Sequence, residues 1–213
     1  MPHGVGFAEI TMLSITENFA YPTQQAKTVE LMEATLAVDA EFTNLCAGLS
    51  EEQLAWSPRP GRWSIAQNLS HLRRTTEVFL PAVDATLGAS RDRRLHSPGP
   101  FTLNLYGRLM VWRMESRPIL KMRAPKAIRP RLLGSCAAEL DHFLISQAAI
   151  RQRIEDAEGL HLTAIRFPSP LASCVRVNLL EFFFLCNAHS RRHLRQANHV
   201  RQALPSGSLQ NRA

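Results

Sequence analysis

The sequence predicts an all-α helical bundle, and three observations carry that prediction. Apolar residues recur at three- and four-residue spacing in five separate segments, the period of a half-buried helix. Several of those segments open on a Ser or Asn followed three residues later by Gln or Glu, the reciprocal cap of a helix start. Prolines and glycines fill the connections, and almost no strand signal is visible. With 213 residues, 45% hydrophobic and 20% charged, the chain can bury a core without disulfides or a structural metal.

Taken in order, residues 1 to 24 read as an irregular N-terminal arm, broken by Pro2, Gly4, Gly6 and Pro22. From Ala26 to Leu49 a stripe of Val29, Met32, Leu36, Ala40 and Thr43, widened by Leu31, Leu45 and Leu49, predicts an amphipathic helix that stops at Gly48. Ser50 to Leu54 adds one capped turn. Ser64 with Gln67 opens a helix through Leu69, Leu72, Phe79 and Val83 to about Leu87, with Gly88 as its stop and Pro81 expected to kink it or end it early. A third segment covers Leu103 to Leu120, and a fourth runs from Pro130 to about Ala157. Residues 160 to 177 hold Pro168 and Pro170 and show no helical period. Asn178 with Glu181 then caps a last helix that Pro205 ends, leaving a polar tail at 206–213. The bundle domain is thus placed at 25–205.

The formal charge is +7, and only Lys27, Lys121 and Lys126 among the 25 basic residues are lysine, which leaves 22 arginines. They lie in small groups along the chain without interleaved aromatics, so a solvated arginine-rich surface is expected rather than a nucleic-acid groove. The apolar run from Phe182 to Cys186 is far short of the ~20 residues that span a bilayer. Neither a secretory leader nor a membrane partner is therefore expected. Cys46, Cys136, Cys174 and Cys186 have no paired spacing and read as reduced thiols of a cytoplasmic protein.

Of eight histidines, three stand out. His189 and His193 are four apart on the last helix, so both rings leave one face and can share an ion. His71 lies on the Ser64 helix beside the apolar stripe. One imidazole from one helix and two from another make a facial three-nitrogen set with open positions for water or substrate. That reading requires the ring nitrogens to lie within ~7 Å of one another, because each bond to an ion is roughly 2 Å. Taken singly, each histidine has an ordinary alternative as a packed or solvated side chain. Gln67 and Thr75, four residues either side of His71, and Gln196, three after His193, are placed to hydrogen-bond a ligand ring or a bound water.

Trp63-Ser64-Ile65-Ala66-Gln67-Asn68-Leu69-Ser70-His71-Leu72, preceded by Pro60-Gly61-Arg62, resembles the signature of the DinB-like superfamily. Ala188-His189-Ser190-Arg191-Arg192-His193-Leu194-Arg195-Gln196 is similar to that family's C-terminal A-x-H-x-x-x-H-x-x-Q helix. The likeness runs from about residue 26 to 204. It implies a four-helix bundle of up-down-down-up arrangement, often dimeric, with a divalent metal, zinc or nickel, on His71, His189 and His193. Relatives include bacillithiol transferases and mycothiol-dependent isomerases. The resemblance therefore implies a metal-activated thiol or water acting on a small-molecule substrate, by transfer or hydrolysis. A low-molecular-weight thiol would carry acidic groups that Arg192 and Arg195 could receive. The alternative is a non-catalytic metal-binding or stress-related bundle protein.

Overall fold

The structure is a computed structural model that describes residues 24–92, 95–97, 101–116 and 123–205. The expected arm, apart from Gln24, and the expected tail lie outside the described residues. Among the described residues there are six helices and one small sheet: α1 Gln24–Cys46, α2 Glu51–Ala55, α3 Ile65–Asp92, α4 Leu105–Glu115, α5 Ala138–Asp156, strands β1 Arg166–Ser169 and β2 Ala172–Asn178, and α6 Leu179–Gln202. A 3₁₀ turn, Lys126–Ile128, precedes α5. Among the described residues no helix is long and apolar enough to cross a membrane.

The four longest helices are α1, α3, α5 and α6. Helices α1 and α3 each pack against both α5 and α6, and α4 lies on α6. One apolar cluster gathers Val83, Leu87, Ile150, Ile154, Phe167, Leu179 and Phe183. A second gathers Val38, Phe42, Leu69, Leu72, Phe143 and Leu194, with Phe42 and Phe143 edge to face at 4.9 Å. The second cluster contains the neighbours of His71 and His193 and so fixes the backbone that carries them.

Several boundaries differ from the sequence expectation for identifiable reasons. On α1 the buried face is Leu31, Thr35, Val38, Phe42 and Leu45, while Val29 and Leu36 are about half exposed. Polar Thr35 and Asp39 point inward because each has an interior partner: Thr35 meets Asn187 of α6, and Asp39 pairs with Arg151 of α5. Helix α3 passes through both Pro81 and Gly88. Pro81 is exposed, as is Glu77, whose carbonyl loses its donor four residues on. Water can therefore replace the missing bond. Helix α5 begins at Ala138 rather than Pro130. The preceding chain turns at Gly134 (φ +94°) and is fastened by side chains instead of helical bonds.

The all-α expectation needs a correction at 166–178, where β1 and β2 pair antiparallel with an irregularity between Pro168 and Ser169. Phe167 and Val177 are register partners and both are buried, while Arg166 and Arg176 face outward. The two prolines that argued for a loop sit at the turn end of the hairpin, where a missing N–H is tolerated. Helix α6 follows β2 directly, with the reciprocal Asn178–Glu181 cap formed as the sequence implied.

The chain before α5 is clamped onto α3. Arg73, almost fully buried, donates from Nε to Glu139 (3.2 Å), from Nη1 to Glu77 (2.7 Å) and from Nη2 to the Arg131 carbonyl (2.8 Å). Ser70 Oγ accepts from the Arg131 amide at 3.0 Å, and Arg74 donates to the Ala127 carbonyl at 2.6 Å. The second oxygen of Glu139 accepts from the Leu133 amide. Removing one partner of a buried ion pair strands the other in low dielectric. Arg73→Met is therefore expected to lower the unfolding free energy by about 3–5 kcal/mol in urea titrations. The double variant Arg73→Met/Glu139→Leu should recover a large part of that loss.

Candidate metal centre

His71 lies in the middle of the first half of α3, and His189 and His193 lie one turn apart on α6. The helix–helix contact brings all three together. His189 Nε2 lies 3.2 Å from His71 Nε2 and 3.1 Å from His193 Nε2. One ligand nitrogen from each ring falls within 4.8 Å of the others, well inside the limit set by the sequence reading. Two nitrogens bound to one ion at about 2.1 Å and subtending roughly 90–110° lie about 3.0–3.4 Å apart. The two spacings from His189 fall in that range.

The outward nitrogens of two rings are already committed. His71 Nδ1 donates to the Ile128 carbonyl at 2.5 Å. His193 Nδ1 donates to Asn68 Oδ1 at 2.8 Å, and Asn68 Nδ2 donates to the Ser64 carbonyl at 2.8 Å, which sets the amide orientation. A carbonyl oxygen can only accept, so in the neutral rings both Nδ1 atoms carry the proton and both Nε2 lone pairs point inward. Trp63 covers the cluster, 4.7 Å from the His71 ring and stacked at 5.7 Å on His193. His71 and His193 are buried, whereas His189 is half-buried and marks the accessible side.

Burial holds all three imidazoles toward the neutral, ligating form. His71 is lowered by burial, against the raising pull of the Ile128 carbonyl. His189 is lowered to about 3 by burial, then by His71 and Arg192. His193 is well below its usual range for the same reason, burial first, then His189, His71 and Arg192. The His71 and His193 lone pairs both face His189 Nε2, which meets them with its own N–H in one neutral tautomer and joins them as a third ligand to a cation in the other. The donor set fits a borderline divalent metal.

The other residues singled out from the sequence fall in varied places. Gln67 Oε1 accepts from the Ser64 amide at 3.0 Å, so it caps α3. Thr75 Oγ1 donates at 2.8 Å to the backbone carbonyl of His71. Gln196 is half-buried, one turn beyond His193. Arg192 is half-buried, and Arg195 donates to the Met114 and Glu115 carbonyls of α4. Burial raises the Cys186 thiol to about 12, which disfavours a thiolate there. Sequence reasoning missed the two groups that orient the rings. Asn68 was legible as a polar residue one turn before His71 on the buried side of α3. The Ile128 carbonyl is a backbone group from a distant turn and leaves no side-chain signal.

The family model of the DinB superfamily matches residues 34–197. The chain belongs to the DinB superfamily. Comparison with curated proteins and with solved structures returns no match. DinB-superfamily proteins are generally metal-binding, and the matched span contains all three histidines.

Two predictions follow from the ring environments. Asn68→Ala leaves the His193 Nδ1–H without its acceptor and should weaken metal affinity about 10–100-fold in chelator competition. The second concerns the metal-free protein. Its folded imidazoles have pKa values below the unfolded 6.5, so in acid the unfolded chain takes up protons that the folded chain refuses. Stability should be full above about pH 6.5 and fall as the pH drops, by up to about 1.4 kcal/mol per pH unit for each imidazole that stays neutral. Urea midpoints with chelator present check this, and His189→Gln should flatten the profile.

Proposed function

We propose that this DinB-superfamily protein is a metal-dependent enzyme in which His71, His189 and His193 hold one divalent ion, zinc or nickel. The reaction class is activation of a thiol or a water for transfer to, or hydrolysis of, a small molecule. The observation that carries the reading is the inward convergence of three Nε2 atoms while the Nδ1 atoms of His71 and His193 are bound elsewhere. We further propose that α1, α3, α5 and α6 form the family's up-down-down-up four-helix bundle, supported by the packing of α1 and α3 on both α5 and α6. A homodimeric, cytoplasmic protein completes the proposal, with a low-molecular-weight thiol as co-substrate.

A divalent ion at this site supplies Lewis acidity that makes a thiol or water nucleophilic near neutral pH. The chain's own residues contribute three things. Imidazoles without a carboxylate ligand leave the ion's charge uncompensated, which strengthens its pull on an incoming anion. Trp63 and the buried faces of His71 and His193 exclude water from one side. The half-buried His189 leaves the other side for the substrate. The burial of two of the three ligands also favours a second reading, in which the metal only braces the helices.

His189→Ala is expected to weaken zinc or nickel affinity at least about 100-fold, because the roughly 10–16 kcal/mol of a structural zinc site is shared among about four ligands. Metal content by mass spectrometry and thermal melting should be measured together with conjugation of a generic electrophile by each low-molecular-weight thiol. Loss of metal and turnover with an almost unchanged melting temperature supports the enzyme. A large fall in melting temperature with no turnover by the wild type under any thiol or ester supports the bracing role.

A further inference from the structure

Resting on the metal reading above, we propose that Arg192 is an anion anchor beside the metal, so that the ligand taken up there is a small molecule carrying a carboxylate or phosphate a few atoms from its metal-binding group. Three residues on from His189, Arg192 lies about 60° round α6 from it. It stands at the edge between the histidine face and the face that packs on α4.

Its neighbours show how that position is kept open. Arg191 and Arg195 flank it and are both committed to the end of α4. Arg191 pairs with the Glu115 carboxylate, and Arg195 donates to the Glu115 carbonyl at 2.9 Å. These contacts fix α4 against α6 and occupy the nearby carboxylate. Arg192, between them, makes no hydrogen bond and no ion pair with any described residue. It is nonetheless half-buried. A guanidinium kept partly out of water, with no carboxylate partner among the described residues, gains most when an anion arrives.

The metal side gives the same sign. Three neutral imidazoles around a dication leave a net charge of +2, and the cluster includes no acidic ligand. His189 is the one ring of the three that is half-buried rather than buried, and Arg192 stands one turn from it on the same helix. An anionic ligand entering there meets both centres, and its thiol or oxygen end and its acidic end bind at separate points. A neutral ligand of the same length satisfies only the metal.

The test uses the full-length protein loaded with cobalt(II), read by its visible absorption, and a matched pair of probes, 3-mercaptopropionate and 3-mercaptopropanol. The carboxylate probe should bind about tenfold more tightly than the alcohol, the scale of one charge-assisted hydrogen bond. Arg192→Met should erase that preference while changing the affinity for the alcohol less than about twofold. Arg192→Lys should keep part of it. Cobalt content and circular dichroism of each variant establish that the fold and the metal are intact. If Arg192→Met does not fold, the wild type alone decides, through the ratio of the two affinities. Equal affinities in the wild type, or a preference that survives Arg192→Met, overturns the anchor and leaves the metal reading standing. A chain that takes up no cobalt overturns both.

Discussion

The structure depends on the convergence of three buried or half-buried imidazoles, with the Nε2 atoms of His71 and His193 both at hydrogen-bond length from that of His189. Burial holds these rings in the neutral form. The convergence persists because the surroundings determine it from several directions. The two apolar clusters fix α3 against α6, the Asn68 amide turns one ring, and the Ile128 carbonyl turns another. A divalent ion is a species that three such neutral nitrogens could hold together.

The two ligand pairs are supported by different physics. His189 and His193 inherit their spacing from helix periodicity, so their relative position is set once α6 forms. His71 comes from another helix, and its tautomer depends on a turn more than fifty residues away. That turn is held by Arg73, Arg74 and Ser70, which come from the same stretch of α3 as His71 itself. The buried Arg73–Glu139 pair thus serves to fix a backbone carbonyl more than to add net stability, in keeping with the weak net contribution of buried ion pairs.

How much was legible in the sequence follows the same division. Caps located the starts of α2, α3 and α6 closely, because Ser50, Ser64 and Asn178 act locally and their signals need no tertiary partner. The three histidines were legible because helical spacing and a family resemblance both marked them. What failed were the features that depend on distant partners. The inward face of α1 was misplaced because Thr35 and Asp39 are polar and find interior mates on α6 and α5. The start of α5 was set too early because Gly134 and the clamped chain before it read as helix-compatible apolar spacing. The hairpin at 166–178 was hidden by Pro168 and Pro170, which break a period-two pattern while sitting where the ladder needs no donor.

The distribution of charge gives the fold its direction. Most of the arginines that touch the described fold are satisfied: Arg151 by Asp39, Arg153 by Asp84, Arg201 by the carbonyls at the end of α1. These contacts tie helices together, and the exposed ones contribute little individually. Arg192 differs in lying next to a cluster that would itself be cationic when loaded. A charge placed only for solubility would sit on an exposed face, as Arg59 and Arg62 do. Half-buried between the histidines and α4, with its flanking arginines tied to α4, Arg192 would in the proposed anchor add positive potential on the side of His189. The closed side, built from Trp63, His71 and His193, is where a static scaffold would have sufficed. The proposed ligand-receiving role draws on this asymmetry, because a site that only held helices together would need no half-buried side.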